Sequence, residues 1–172
     1  MLEIVPMTIR RAARDDVPAV LQLLDDATVW LVGRGQTEQW GTEPHSSSPQ
    51  RVAQITAFAD EGLWVAETDR IVGALAVGAA NDYVPAVAEP ELYIRLLVTD
   101  RASAGQNIGG ILLDHARKLA MEEGLGLLRV DCFASPGLIG YYEKQGFTRD
   151  VEFAVPRVNG SDWPGQVLVQ RL

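Results

Sequence analysis

Residues 92–119 read LYIRLLVTDRASAGQNIGGILLDHARKL, and the reading of this stretch decides the architecture. Its opening, with Glu91 before it, is almost continuously apolar, which predicts a strand over 91–98 in a central position covered on both faces. Its closing part puts Ile108, Ile111, Leu112, Ala116, Leu119 and Ala120 on one face of an amphipathic helix that Gly124 ends. Between them runs the glycine-rich TDRASAGQNIGG. A strand, a glycine turn and a helix in that order aim successive backbone N–H groups and a helix N-terminus at one spot, which predicts an anion site. A Walker loop would need Gly-Lys-Ser or Gly-Lys-Thr where Ile108, Gly109 and Gly110 stand. A dinucleotide fingerprint would need a G-x-G-x-x-G spacing that Gly105, Gly109 and Gly110 do not supply.

Upstream, 63–67 (LWVAE) and 71–78 (IVGALAVG) flank Thr68, Asp69 and Arg70 and read as a hairpin. The segment 79–90 carries Pro85 and Pro90 without a period, and is expected to be a loop. Residues 7–11 are extended in character. Asp15 and Asp16 then open a helix with Pro18 in its first turn. Val17, Val20, Leu21, Leu24, Ala27, Val29 and Leu31 recur at helical spacing until Gly33 and Gly35. Ser48 before Pro49 is an N-cap signature, predicting a second helix to about Asp60.

Downstream, 127–133 (LLRVDCF) predicts a strand, and Ser135 with Pro136 repeats the cap signature for a short helix through Lys144. Gly146 ends it, with Phe147 placed to pack back. Segments 147–153 and 166–170 read as two last strands separated by a loop holding Trp163. Hairpins first and strand-helix-strand units later make this α/β or α+β with a mixed sheet, in one domain over 1–172.

The 172 residues are 47% hydrophobic and 22% charged, with 15 Lys and Arg against 23 Asp and Glu. A chain of this length buries roughly two-thirds of its unfolded surface and needs no disulfide or metal to hold it. The single cysteine, Cys132, has no partner in the chain, so a reducing, cytoplasmic setting is expected. A net charge of −8 argues against nucleic acid and suits cationic or amine partners. No apolar run reaches the ~18 residues that would span a membrane. Glu3 stands where a leader would be basic, so none is expected. With only His45 and His115, no metal-ligand spacing exists, and no metal is expected.

The frame LLVTDRASAGQNIGGILL resembles the pyrophosphate loop of the GCN5-related N-acetyltransferase (GNAT) superfamily. In the family that loop reads Arg or Gln, x, x, Gly, x, Gly or Ala, after a strand ending in a hydrophobic-x-Val. Gly109 matches its second Gly. Ala104 stands where Arg or Gln is usual and Asn107 where the first Gly is usual, with Gly105 and Gln106 between them. Asn tolerates positive φ better than most residues. Downstream, LLRVDCFASPGLIGYYEKQGF resembles the family's strand, short helix and closing motif, with Tyr142, Glu143, Lys144, Gly146 and Phe147 matching. Ser135 stands where Asn is common. The resemblance implies a GNAT-like acyl-CoA N-acyltransferase fold, with a mixed sheet of six or seven strands flanked by helices on both faces.

It also implies transfer of an acetyl group from acetyl-CoA to the primary amine of a small-molecule or peptide acceptor by direct attack. The cofactor would lie along Leu96, Leu97 and Val98, whose backbone polarises the carbonyl. Its pyrophosphate would meet Ala104, Gly105, Gln106, Asn107, Ile108, Gly109 and Gly110, with Ser135 nearby. Tyr142 holds the family's position for protonating the leaving thiolate, and a phenol near pKa 10 is protonated at neutral pH. Spacing alone reads the same residue as a core aromatic four residues after Leu138. For the base, a carboxylate acting through water is usual. Glu91 is the leading candidate, ahead of Glu89, Asp82 and Glu38. Trp30, Trp40 and Tyr83 are candidates for an acceptor pocket that holds a small cationic amine against aromatic faces. The competing reading of both tryptophans is that they cap the core. Cys132 is expected to be a buried small hydrophobe. A non-catalytic acyl-CoA sensor or scaffold of the same fold is the alternative function, and a homodimer through the tail strand is left open.

Overall fold

The computed structural model describes residues 5–158 and 160–172. Glu3, on which the expectation of no leader rests, lies outside them. The elements are strands β1 (Thr8–Arg11), β2 (Leu63–Glu67), β3 (Ile71–Gly78), β4 (Leu92–Thr99), β5 (Leu127–Phe133), β6 (Thr148–Val155) and β7 (Trp163–Arg171) and helices α1 (Val17–Gly33), α2 (Pro49–Glu61), α3 (Ile108–Glu122) and α4 (Pro136–Lys144), with α1 and α2 between β1 and β2, α3 between β4 and β5, and α4 between β5 and β6. The seven strands form one mixed sheet in the order β1-β2-β3-β4-β5-β7-β6. β4 pairs in parallel with β5, while β1 with β2, β2 with β3, β5 with β7 and β6 with β7 are antiparallel.

The chain forms two compact units, Met1–Val77 with Leu96–Leu112 and Gly78–Arg95 with Leu113–Leu172. In the first, the apolar faces of α1 and α2 close over β2 and β3 around Val20, Leu24, Ile55, Leu63 and Val65, which are almost wholly buried. Burying such side chains stabilises by about 1.5–3 kcal/mol each. Ser48 caps α2 as its sequence predicts, its hydroxyl accepting the Arg51 N–H at 3.2 Å. Gly73 has a packing reason: a Cβ there would come within 2.7 Å of Ile108 and 2.9 Å of Leu112, so glycine lets the first turn of α3 approach β3.

Two sequence expectations change. Val29 is 72% exposed, while Thr28 is buried in the α1 stripe. Thr28 lies four residues after Leu24 and seven after Leu21, so it belongs to that face by period, and its hydroxyl is satisfied by Leu24 O at 2.9 Å. An apolar count passes over it. Trp163 opens β7 instead of lying in a loop, because β7 extends to pair Trp163 with Val155.

His45 is buried against Thr28. Its Nδ1 accepts from Arg51 Nε at 2.9 Å, so the ring proton sits on Nε2 and is given to Thr28 Oγ1 at 3.0 Å. Burial, then the Arg51 charge, holds its pKa below the ordinary imidazole value, with Asp25 opposing. The unfolded chain therefore takes up this proton first as pH falls. The stabilisation is full above about pH 6.5, the unfolded value, and is lost as pH drops through the folded one. His115 is depressed in the same direction, also by burial first. Melting temperatures measured between pH 7.5 and 5 should fall steadily, and His45→Gln should flatten that slope without abolishing it. A variant slope equal to that of the native chain would remove His45 from the account.

In the second unit, β6 carries an irregularity between Arg149 and Glu152. The carbonyls it exposes at Asp150 and Val151 accept from the buried Gln166 amide at 2.9 and 3.3 Å. Arg117 fixes the end of α4 through the Gln145 carbonyl, bonds to Gln170 at 2.6 Å and lies over the Phe147 ring.

Candidate active site

In the first unit, Leu96 and Val98 are buried in the core and Leu97 is half-buried. After β4 the chain makes a single 3-10 turn, Arg101–Ser103. Asp100 anchors this turn. It is 6% exposed, caps the Ala102 N–H at 3.2 Å, accepts the Ser103 hydroxyl at 2.8 Å and pairs with Arg70. Burial pushes its carboxyl up, but Ser103, Arg70 and Ala102 together bring it below the ordinary value. Sequence reasoning passed over Asp100, although an Asp two residues before a turn amide is a capping signal.

The turn then enters the left-handed region at Gly105, φ +88°, and at Asn107, φ +57°. Asn107 is the only non-glycine residue with positive φ among those described. This is the conformation the family's first glycine would supply, reached here by a side chain that tolerates it. Ile111 N–H is bonded back to Asn107 O at 3.1 Å. The N–H groups of Ile108, Gly109 and Gly110 precede it in the first turn of α3, where the helix offers no acceptor. A Cβ at Gly110 would sit 2.3 Å from Asn107 Oδ1, so a side chain there would have to turn the Asn107 amide group aside. Backbone shape, the emerging amides and the helix dipole fit the pyrophosphate of a coenzyme A group.

Trp30 and Trp40 also lie in the first unit. The guanidinium of Arg101 lies 3.7 Å from the Trp30 ring centroid and that of Arg34 4.7 Å from it. The cations on this ring are thus the chain's own arginines. Trp40 packs on the core and meets His45 edge-on at 5.6 Å.

In the second unit, Ser135 caps α4, its hydroxyl accepting the Leu138 N–H at 3.3 Å. Tyr142 is buried on that helix, its ring edge-on to Tyr141 at 5.2 Å and Phe147 at 5.8 Å. Burial first, then Cys132, Tyr141 and Asp131, hold its phenol above the ordinary value. Cys132 is buried and its thiol is pushed up to about 12 by burial, then by Asp131, which leaves it inert as a nucleophile.

Both oxygens of Glu91 are held by Arg129, one by Nε and the other by Nη2 at 2.8 Å. The Arg129 side chain is 1% exposed, so Glu91 serves as counter-ion to a buried cation. That structural task competes with a catalytic one. Glu89 pairs with Arg171 at 2.8 Å, and Asp82 and Glu38 are exposed. Tyr83 is exposed, stacks on Phe153 at 5.5 Å and accepts from Asn81 at 2.9 Å. Asp131, which sequence reasoning did not single out, accepts the Tyr93 hydroxyl at 2.5 Å. Its only sequence signal is a carboxylate inside an apolar strand.

Among the described residues no cluster of His, Cys, Asp or Glu could hold a metal ion, and no helix is long and apolar enough to cross a membrane. Residues 22–147 match the model of the acetyltransferase (GNAT) family, and the chain belongs to that family. No curated protein matches it. Similar solved structures include a GNAT-family acetyltransferase from Listeria monocytogenes, at 22% identity and TM-score 0.71, with 96% of this chain and 95% of that one covered. A ribosomal-protein-alanine N-acetyltransferase from Brucella melitensis has 20% identity and TM-score 0.68, covering 96% and 99%. A protein from Salmonella typhimurium, solved with its cofactor acetyl-CoA, has 18% identity and TM-score 0.67, covering 96% and 94%. At these identities the likeness shows the fold.

Proposed function

We propose that the chain, working as one domain in a reducing cytoplasm, moves an acetyl group from acetyl-CoA to the primary amine of a small cationic acceptor by direct attack. The observation that carries this reading is the left-handed turn at Gly105 and Asn107, which delivers the amides of Ile108, Gly109 and Gly110 at the head of α3. Those amides hold the pyrophosphate. Acetyl-CoA supplies an acetyl group already activated as a thioester. The backbone of Leu96, Leu97 and Val98 polarises its carbonyl, and Tyr142 is the donor that protonates the leaving thiolate. Since Tyr142 is held protonated, it is a donor throughout the working pH range.

The test is thermal unfolding with acetyl-CoA at about 100 times its Kd, where linkage stabilises by roughly 2.7 kcal/mol. For a domain of this size that raises Tm by about 5–10 °C. ATP and NAD should give little shift. Gly110→Val, which turns the Asn107 side chain aside and sets a branched side chain beside the emerging amides, should lose most of the acetyl-CoA shift while keeping a cooperative transition. Release of thiol when alkylamines are added completes the assignment. An equal shift with ATP, or none with acetyl-CoA, would sink it.

A further inference from the structure

In β5, Arg129, Asp131 and Phe133 alternate onto one face of the sheet. Antiparallel register sets them opposite Val169, Val167 and Gly165 of β7, with Phe153 of β6 opposite Gly165 as well. Gly165 has no side chain, and the Phe153 ring occupies its place: a Cβ there would fall 2.2 Å from the ring. Around it stand Trp163, 5.6 Å from Phe133 and 6.1 Å from Phe153, and Tyr83, stacked on Phe153. Phe133, Phe153 and Trp163 are half-buried and Tyr83 is exposed, so this aromatic group is reachable from solvent.

Asp131 lies within the same face. The Tyr93 hydroxyl donates to its carboxyl at 2.5 Å, and Asn81 acts on it as a second neutral group. Arg129, the nearby cation, is committed to Glu91 and to the Pro85 carbonyl at 3.0 Å. A carboxylate mostly out of water and held by neutral donors is an expensive arrangement unless a cation arrives to complete it. Aromatic faces beside it favour the same visitor.

Resting on the reading that the acceptor is an amine, we propose that Asp131 seats the acceptor's ammonium group beside Tyr83, Phe133, Phe153 and Trp163 and takes its proton. The ammonium N–H passes a proton to Asp131, and the nitrogen lone pair forms the N–C bond as the C–S bond breaks. The nitrogen sheds two protons in all; one ends on sulfur and the other reaches water. The charged and titratable groups around Asp131 are Tyr93, Arg129 with its partner Glu91, Cys132, Tyr142, and Tyr83 and Asp150 further out. Burial raises the Asp131 carboxyl above the ordinary range, against the pull of Tyr93, Asn81 and Arg129, in the direction a base needs.

The experiment uses the full chain with acetyl-CoA and two probes, butylamine and 2-phenylethylamine, following thiol release between pH 6 and 9.5. Asp131→Asn should lower kcat/KM about 100-fold or more at pH 7. Its activity should recover about tenfold per pH unit as the amine deprotonates in solution. Asp131→Glu should restore part of the rate. Tyr93→Phe removes a donor to the carboxylate, so the acid limb of kcat/KM should move to higher pH. Asp131→Asn should keep the acetyl-CoA Tm shift and melt no lower than the native chain, since a costly buried charge has been removed. If Asp131→Asn does not fold, the Tyr93→Phe limb decides alone. A native-like rate and acid limb in these variants overturns the proposal. Acetyl-CoA binding without turnover of either amine overturns it together with the amine reading, whereas failure to bind acetyl-CoA overturns the function itself.

Discussion

Replacing Glu91 by Ala is expected to destabilise the chain by about 3–5 kcal/mol, because the change strips a guanidinium that is 1% exposed of its bidentate partner. Against a total of roughly 5–15 kcal/mol for a domain, this removes a large share of stability. Arg129 also bonds to Pro85 O and lies over the Tyr93 ring at 5.2 Å, so its release disturbs the loop before β4 as well. The double variant Glu91→Leu with Arg129→Met removes both charges and should return close to native stability. Urea unfolding of the single and double variants checks this. A loss below about 1 kcal/mol for Glu91→Ala would mean that the pair is not structurally important. Glu91→Gln separates structure from chemistry: on the folded protein its kcat should stay within a few-fold of native, whereas loss of the base would cost 100-fold or more.

Tyr142→Phe is expected to lower kcat by about two orders of magnitude or more while leaving the acetyl-CoA Tm shift in place. The ring stays, so its edge-on contacts with Tyr141 and Phe147 stay. What goes is one hydroxyl whose burial already holds its proton firmly, and taking a hydroxyl from such a place costs little stability. Steady-state thiol release against amine concentration, alongside melting curves, provides the check. Tyr141→Phe serves as the comparison, because Tyr141 packs on Tyr142 and has no proposed chemical task. A Tyr142→Phe rate within threefold of native would return Tyr142 to the role of a core aromatic.

Most of the architecture was legible in local patterns. Ser48 and Ser135 announce their helices because capping is an affair of a few neighbouring residues. The hairpin of β2 and β3 and the limits of β5 follow from period and turn residues in the same way. The turn at Asn107 was readable too, since left-handed backbone restricts residue type locally.

The partners of the charged and aromatic residues were not legible, since each is chosen by strands distant in sequence. Glu91 looks like a carboxylate at a strand edge until the fold brings Arg129 to it from 38 residues away. Trp30 looks like a bare aromatic face until Arg101 is brought over it. Asp131 looks like an irregular residue in an apolar strand until the Tyr93 hydroxyl reaches its carboxyl from 38 residues away. The sequence by itself determined the elements, the glycine turn and the family, because these depend on backbone preferences and hydrophobic period. Only the tertiary structure decided which charges are neutralised and which rings are covered, because burial and electrostatic pairing are properties of distances that sequence spacing does not contain.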